Sequence, residues 1–349
     1  MMKPKQRALV VCPGRGTYNK TELGYLQRYH RQQQSWLSQA DNYRAKQQQV
    51  TLTELDSAAE YSLKQHSAGD NASSLIYACA YCDFLTIDQD QFEIVAVTGN
   101  SMGWYISLAV AAAMESISAL TLINTMGNLM HQSLIGGQVI YPLVDANWQP
   151  IEGRRAHLLE MMAAINQQTD CELTISIELG GMLVFGGNEL ALKQLTEALP
   201  LEQGRFPMRL FNHAAFHTPL QQVISLQAKQ LLTQDLFQQP HLPLVDGRGK
   251  LWSPYSTDLA LLWNYTLGCQ VTETYDFTKA IQVGVKEFAP DKVIILGPGT
   301  TLGGAVAQSL IAINWLGWQA KEDFIERQKT DPFIISMGLE EQRSLIAPQ

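Results

Sequence analysis

Five residues, Gly99-Asn100-Ser101-Met102-Gly103, constrain this chain more than any other stretch. A β-branched run at 94–97 precedes them. A small-residue helix follows from 104 to about 113, with alanine at 109, 111, 112 and 113. A serine between two glycines at a strand-to-helix junction is the pattern of a nucleophile elbow. The tight turn lifts the hydroxyl out of the sheet, and only glycines clear the crowded backbone on either side. The helix starting there offers free N–H groups and positive potential to a developing oxyanion. The competing reading is an ordinary βα turn that happens to carry serine, so a base must be found for the hydroxyl.

The elbow sits in an α/β rhythm. Residues 7–12 read as a buried strand that ends in the turn Pro13-Gly14-Arg15-Gly16. From about 20 to 68 the chain is polar and glutamine-rich, with leucine and aromatic residues at helical spacing, which predicts solvated helices. Residues 72–86 predict a helix buried on most faces. The middle changes pattern: strand 138–144, helix 154–167, strands 173–178 and 182–185, helix 190–199, strand 206–211. This β-α-β-β-α-β order is that of a ferredoxin-like unit. The α/β rhythm then resumes with a strand at 293–296, a glycine-rich turn at 297–304 and a helix from about 305 to 313.

Composition removes several classes of function. The chain has 349 residues, 46% of them hydrophobic and 17% charged, against roughly 25% charged in an average soluble domain. At that length about three-quarters of the unfolded surface can be buried, so no disulfide or metal staple is required. A net charge of −8 argues against nucleic acid as a partner. No apolar run approaches the ~20 residues of a membrane span. The apolar run at 8–12 is too short for the 7–15 residues, roughly, of a secretory h-region. Five scattered cysteines predict reduced thiols and a cytoplasmic location. The pair in Cys79-Ala80-Tyr81-Cys82 falls inside an apolar helix and reads as structural rather than as a metal or redox site.

The base for Ser101 must come from seven histidines, none of which follows His241. The usual α/β-hydrolase order of serine, acid and late histidine is therefore disfavoured. A Ser–His dyad remains, its imidazole oriented by something other than a carboxylate. The stretch His213-Ala214-Ala215-Phe216-His217-Thr218-Pro219-Leu220 follows the last strand of the inserted unit.

From about residue 7 to 315 the sequence resembles the malonyl-CoA:acyl carrier protein transacylase and polyketide-synthase acyltransferase family. Four motifs occur in that family's order. Pro13-Gly14-Arg15-Gly16-Thr17 is similar to its PGQGS turn and Gly99-Asn100-Ser101-Met102-Gly103 to its GHSxG elbow. Ala215-Phe216-His217-Thr218-Pro219-Leu220 is similar to its AFHSPL stretch, and Leu296-Gly297-Pro298-Gly299 matches its LGPG turn. The resemblance implies Ser101 as nucleophile and His217 as general base, with Asn264 beside the carbonyl that holds the imidazole. It also implies an oxyanion hole made by the backbone N–H groups of Met102 and Tyr18. The implied fold is an α/β-hydrolase-like core, 1–134 and 213–349, with an inserted ferredoxin-like (βαββαβ) subdomain, 135–212, and the active site in the cleft between them.

The departures from the family bear on the substrate. Where the malonyl transferases carry a carboxylate-binding arginine, counting along the elbow helix, this chain has Met126. An arginine fork is bidentate and charge-assisted, and a buried carboxylate without it costs several kcal/mol. Met126 therefore points to a neutral acyl group. Asn100 stands for the family's histidine and Trp104 for its glutamate; with Phe216 they are expected to line the acyl pocket. Arg15, in place of a glutamine, is a second way to hold a carboxylate. The expected activity is ping-pong transfer of an acyl group from acyl-CoA to an acyl carrier protein, without metal or redox cofactor. A thioester hydrolase and a degenerate, non-catalytic scaffold subunit are the alternatives. Arg154-Arg155 and Arg248-Gly249-Lys250 are either solvated charges or a basic patch for an acidic carrier. The glycine-rich turn at 297–303 is read through the family match rather than as a dinucleotide loop.

Overall fold

The computed structural model describes residues 4–347. Two sheets organise it. The larger has six strands in the order β11-β10-β1-β2-β7-β8, where β1 is Gln6–Cys12, β2 Phe92–Gly99, β7 Leu244–Val245, β8 Leu251–Trp252, β10 Lys292–Ile295 and β11 Ile334–Ser336. All pairings are parallel except β7 with β8. β1 is central, with Val10 opposite both Ile294 and Val97, and Ala8 to Cys12 are all fully buried. A parallel strand covered on both faces reads as an unbroken apolar run, which is why 7–12 was visible in the sequence. The carboxyl ends of β1, β2 and β10 converge on one edge, the usual place for a ligand crevice in such a sheet.

The second sheet has the order β6-β3-β5-β4-β9, with β3 at Gly137–Pro142, β4 Leu173–Leu179, β5 Met182–Gly187, β6 Met208–Arg209 and β9 Tyr275–Asp276. Its first four strands follow the 4-1-3-2 order of a βαββαβ unit, and β9 joins from far downstream, parallel to β4. Helices Arg154–Asn166 and Glu189–Ala198 connect the strands. Val139, Tyr141, Leu158, Phe185, Leu195 and Phe206 pack into a core of their own. The last strand is shorter than the expected 206–211. Pro207 has no N–H for a ladder, and Phe211 ends up 62% exposed.

Two other expectations need correction. The elbow helix does not run on to Met126. Helix α1, Gly103–Val110, stops, and a separate helix α2, Ser116–Ser133, carries Met126. Ala112 at φ 52 turns the chain. The freed carbonyls of Ala111 and Ala113 accept from the backbone N–H groups of His241 and Gln238, and that of Ala112 from the Gln238 side chain. The stretch 20–68 is helical but not merely solvated. Arg44 is fully buried there, donating to Val50 O at 2.7 Å and to Asn124 Oδ1, on α2, at 2.8 Å.

Candidate active site

Ser101 sits at φ 56 between β2 and α1. The flanking glycines are demanded by contact. A Cβ on Gly99 would lie 2.3 Å from the Gly103 backbone, and one on Gly103 would lie 2.3 Å from Cys12 O at the end of β1. The elbow is thus clamped onto the neighbouring strand, and Asn100 N donates to the same Cys12 carbonyl at 3.0 Å.

Ser101 Oγ lies 2.7 Å from His217 Nε2. On the other side of the ring, His217 Nδ1 is 2.5 Å from the backbone carbonyl of Gln270. A carbonyl can only accept, so Nδ1 carries the proton and Nε2 presents its lone pair to the serine hydroxyl. His217 is 4% exposed. Burial pushes its pKa down to about 4, with the bond to Gln270 working the other way. The imidazole is neutral, and free to act as a base, at neutral pH.

Gln270 is the residue that sequence reasoning missed. Its side-chain N–H donates to Ser101 O at 3.1 Å, while its Oε1 accepts from Tyr105 OH at 2.7 Å. Asn264, expected in this role, is exposed and accepts from Lys229 Nζ at 2.5 Å. The physical reason lies in Gly268, which ends helix Leu259–Leu267 and starts a four-residue helix, Cys269–Thr272. A helix that short leaves carbonyls without an i+4 partner, and one of them is turned to the imidazole. A polar residue just past a glycine break was the signal available.

Two cavities meet at the serine. The inner one, about 40 Å³, is lined by Ser101, His217, Met102, Tyr105, Met126 and Met130, among others. The outer one, about 840 Å³, runs between the two sheets past Gly14 to Thr17, Asn100, Gln138, His213 and Phe216. Met126 is 2% exposed and Phe216 borders both spaces. Arg15 also borders both; it donates to Ser67 O at 3.0 Å, and no carboxylate among the described residues pairs with it. Burial lowers its pKa to about 10, against the pull of Asp70, so it stays charged at neutral pH. Among the described residues, neither the backbone N–H of Met102 nor the backbone N–H of Arg15 donates to another backbone group.

Besides Asn264, two expected site residues lie elsewhere. Trp104 is fully buried, donating to Thr266 Oγ1 at 3.0 Å, and its ring meets Tyr265 edge-on at 5.3 Å. One residue further along α1 rotates the side chain by about 100°, so Tyr105 faces the inner cavity and Trp104 faces the core. Tyr18 borders neither cavity; its hydroxyl donates to Asp56 Oδ1 at 2.8 Å. The loop meets the serine through residues 14–17 instead.

The remaining candidates fall to ordinary roles. Arg154 pairs with Glu202, Arg155 with Glu178 and Arg248 with Asp246, while Lys250 sits 3.9 Å over the Trp252 ring. These cations are not an unpaired basic patch. Cys79 and Cys82 are buried and burial pushes both thiols up, away from reactivity. Gly297 N donates to Asp83 Oδ2 at 2.7 Å, so that turn is packed on protein rather than cradling a phosphate. The described residues hold no cluster of His, Cys, Asp or Glu able to bind a metal ion. No described helix is long and apolar enough to cross a membrane.

A six-stranded, mainly parallel sheet, an elbow serine at its carboxyl edge and a βαββαβ unit beside it together make the fold of the malonyl-CoA:acyl carrier protein transacylases. The Synechocystis sp. PCC 6803 enzyme of that name superposes with a TM-score of 0.74 at 17% identity, covering 98% of this chain and 100% of its own. The Xanthomonas oryzae pv. oryzae enzyme gives 0.75 at 16%, over 99% and 100%. The Helicobacter pylori enzyme gives 0.73 at 14%, over 98% and 97%. No protein-family model and no curated protein matches the sequence.

Proposed function

We propose that this chain is a divergent serine acyltransferase, built as a catalytic core of 1–134 and 213–349 around a subdomain of 135–212. It moves an acyl group from acyl-CoA to an acyl carrier protein. The observation that carries the reading is the 2.7 Å contact of Ser101 Oγ with a neutral, carbonyl-held His217 at the junction of two cavities. His217 Nε2 takes the hydroxyl proton as Oγ attacks the thioester carbonyl, and returns it to the departing thiolate. The oxyanion is met by the backbone N–H of Met102 and, in place of that of Tyr18, by the backbone N–H of Arg15. One such donor is worth about 3 kcal/mol in the transition state. An incoming pantetheine thiol then reverses the sequence. No step calls on a metal or redox cofactor.

The acyl group is small and uncharged in this reading. The inner cavity has room for only a few heavy atoms, and Met102, Met126, Met130, Ile123, Val271 and Phe216 give it a largely apolar wall. A second reading, a carboxylated acyl group, is favoured by one observation: the Arg15 guanidinium at the cavity wall has its Nε buried without a partner. One experiment tests both. Purified protein is incubated with acetyl-, malonyl- and longer acyl-CoA, with Ser101→Ala as control, and its intact mass is read before and after adding carrier protein. Acyl adducts that require Ser101 and pass to the carrier support transfer, and the best donor identifies the acyl class. Rapid free-acid release that ignores the carrier indicates a hydrolase. No adduct from any donor indicates a scaffold.

A further inference from the structure

A chain of three hydrogen bonds, two of them buried and the third part-buried, fixes the proton of a second imidazole beside the dyad. Ser176 Oγ lies 2.7 Å from Phe216 O, the carbonyl immediately before His217. Gln138 Nε2 lies 2.6 Å from Ser176 Oγ, and His213 Nδ1 lies 2.8 Å from Gln138 Oε1. Ser176 is fully buried and Gln138 is 1% exposed. The carbonyl can only accept, so the Ser176 hydroxyl donates to it and has only lone pairs left for Gln138. Gln138 must therefore turn its NH₂ to Ser176 and its oxygen to His213. That oxygen can only accept, so the proton of a neutral His213 is on Nδ1. Its Nε2 is left as a bare lone pair with no partner among the described residues, on a ring that lines the outer cavity.

We infer that His213 Nε2 is a built hydrogen-bond acceptor for an amide N–H of a pantetheine arm lying in the outer cavity. The acyl-transfer reading, on which this rests for the identity of the ligand, requires such an arm to reach Ser101 from outside. The arm carries amide N–H donors, and the outer cavity is the route that borders Asn100 and Ser101. A protonated imidazole would repel those donors. Burial, Arg15 and His217 all push the His213 pKa down, to about 3, which keeps the lone pair available. His213 is in this sense a positioning and specificity residue, and it does not touch the reacting atoms.

The test uses desacyl pantetheine and the full chain. In ¹⁵N-histidine-labelled protein the Nε2 resonance of His213 should begin as an unprotonated nitrogen and move on titration with pantetheine. His213→Asn keeps an N–H toward Gln138 but has nothing at the Nε2 position. It should bind pantetheine about fivefold more weakly, the loss expected of one neutral hydrogen bond, and His213→Gln should recover most of that loss. A resonance that does not move, or an Asn variant that binds as wild type does, overturns the inference. The wild-type titration decides it even if a variant fails to fold. If no thioester acylates Ser101 yet Nε2 still responds to pantetheine, the transfer reading fails and this one stands. An acylated Ser101 with a silent Nε2 has the reverse meaning.

Discussion

His217 Nδ1 and the Gln270 carbonyl are 2.5 Å apart, so the imidazole is oriented by a neutral dipole where a triad would use a carboxylate. Nothing charged offsets its burial, and its pKa falls to about 4.

Activity should accordingly persist into acid. kcat/KM for Ser101 acylation should stay flat from pH 8 to about 5 and fall through pH 4, since protonated His217 cannot take the serine proton. Stability moves in the same direction. Between pH 6.5 and 4 the unfolded histidine binds a proton that the folded one does not, so ν_U exceeds ν_N and folding stability rises with pH. The stabilisation is present above 6.5 and is lost as pH drops to 4, on the order of 3 kcal/mol for His217 alone, with His213 adding to it in the same sense. Urea midpoints and pH–rate profiles measure the two. An acid limb near pH 6.5 would mean that the imidazole is more solvated than this geometry allows.

Gln270→Ala keeps the backbone carbonyl but removes the side-chain bridge between Ser101 O and Tyr105 OH. Leaving the buried Tyr105 hydroxyl unpaired should cost about 2 kcal/mol of stability, and loosening of the elbow should slow acylation by about tenfold or more. Asn264→Ala, on the exposed face, should alter neither by more than about twofold or 0.5 kcal/mol. Denaturant titration and single-turnover acylation of the two variants compare them directly. The reverse ranking would restore Asn264 to the site.

The sequence exposed what local backbone chemistry dictates and hid what depends on distant partners. Ser101 was legible because glycines at 99 and 103 bracket it between a strand and a helix, the local pattern of an elbow, and a candidate base could be named in the same chain. His217 was legible by its motif. Gln270 was not, because it acts on the histidine through a backbone carbonyl, which leaves no side-chain signature. Trp104 and Tyr105 are adjacent, and which of them faces the cavity depends on helix phase, set by packing against Tyr265 and Thr266. The end of α1 was hidden for the same reason, since residues 238–241 supply the bonds that replace its next turn. Arg154 reads as a free cation until Glu202, 48 residues away, is brought against it.

The elbow glycines and a glycine of the late helix should respond in opposite directions to one added methyl. Gly103→Ala drives a Cβ to 2.3 Å from Cys12 O and 2.9 Å from Pro13 O, both backbone atoms. Neither can yield without moving the end of β1 or the turn that follows it, so a loss above about 4 kcal/mol, or no folded protein, is expected. Gly303 lies in helix Leu302–Ile311 with nothing within 4 Å of its would-be Cβ. Gly303→Ala should stabilise by about 0.5–1 kcal/mol through the unfolded chain's lost freedom. Thermal melts of the pair suffice, and a tolerated Gly103→Ala would show that the elbow is not clamped on β1.

Met126 projects from α2 into the inner cavity, where the sequence comparison with the malonyl transferases would place a guanidinium. If that cavity holds the acyl chain, the methionine sets its depth. Truncating Met126 to alanine removes three heavy atoms from a side chain 2% exposed, with an expected loss of about 2–4 kcal/mol. The space gained lies in line with the acyl group, so the preferred donor should lengthen by about two to three carbons. The shift should appear in KM and kcat/KM across a graded acyl-CoA series, while the best rate for the shortest donor falls as its fit loosens. Stability and specificity are thus read separately on one variant. A destabilised Met126→Ala with an unchanged chain-length profile would place the acyl group outside this cavity, most simply against Arg15 and Phe216 in the outer one.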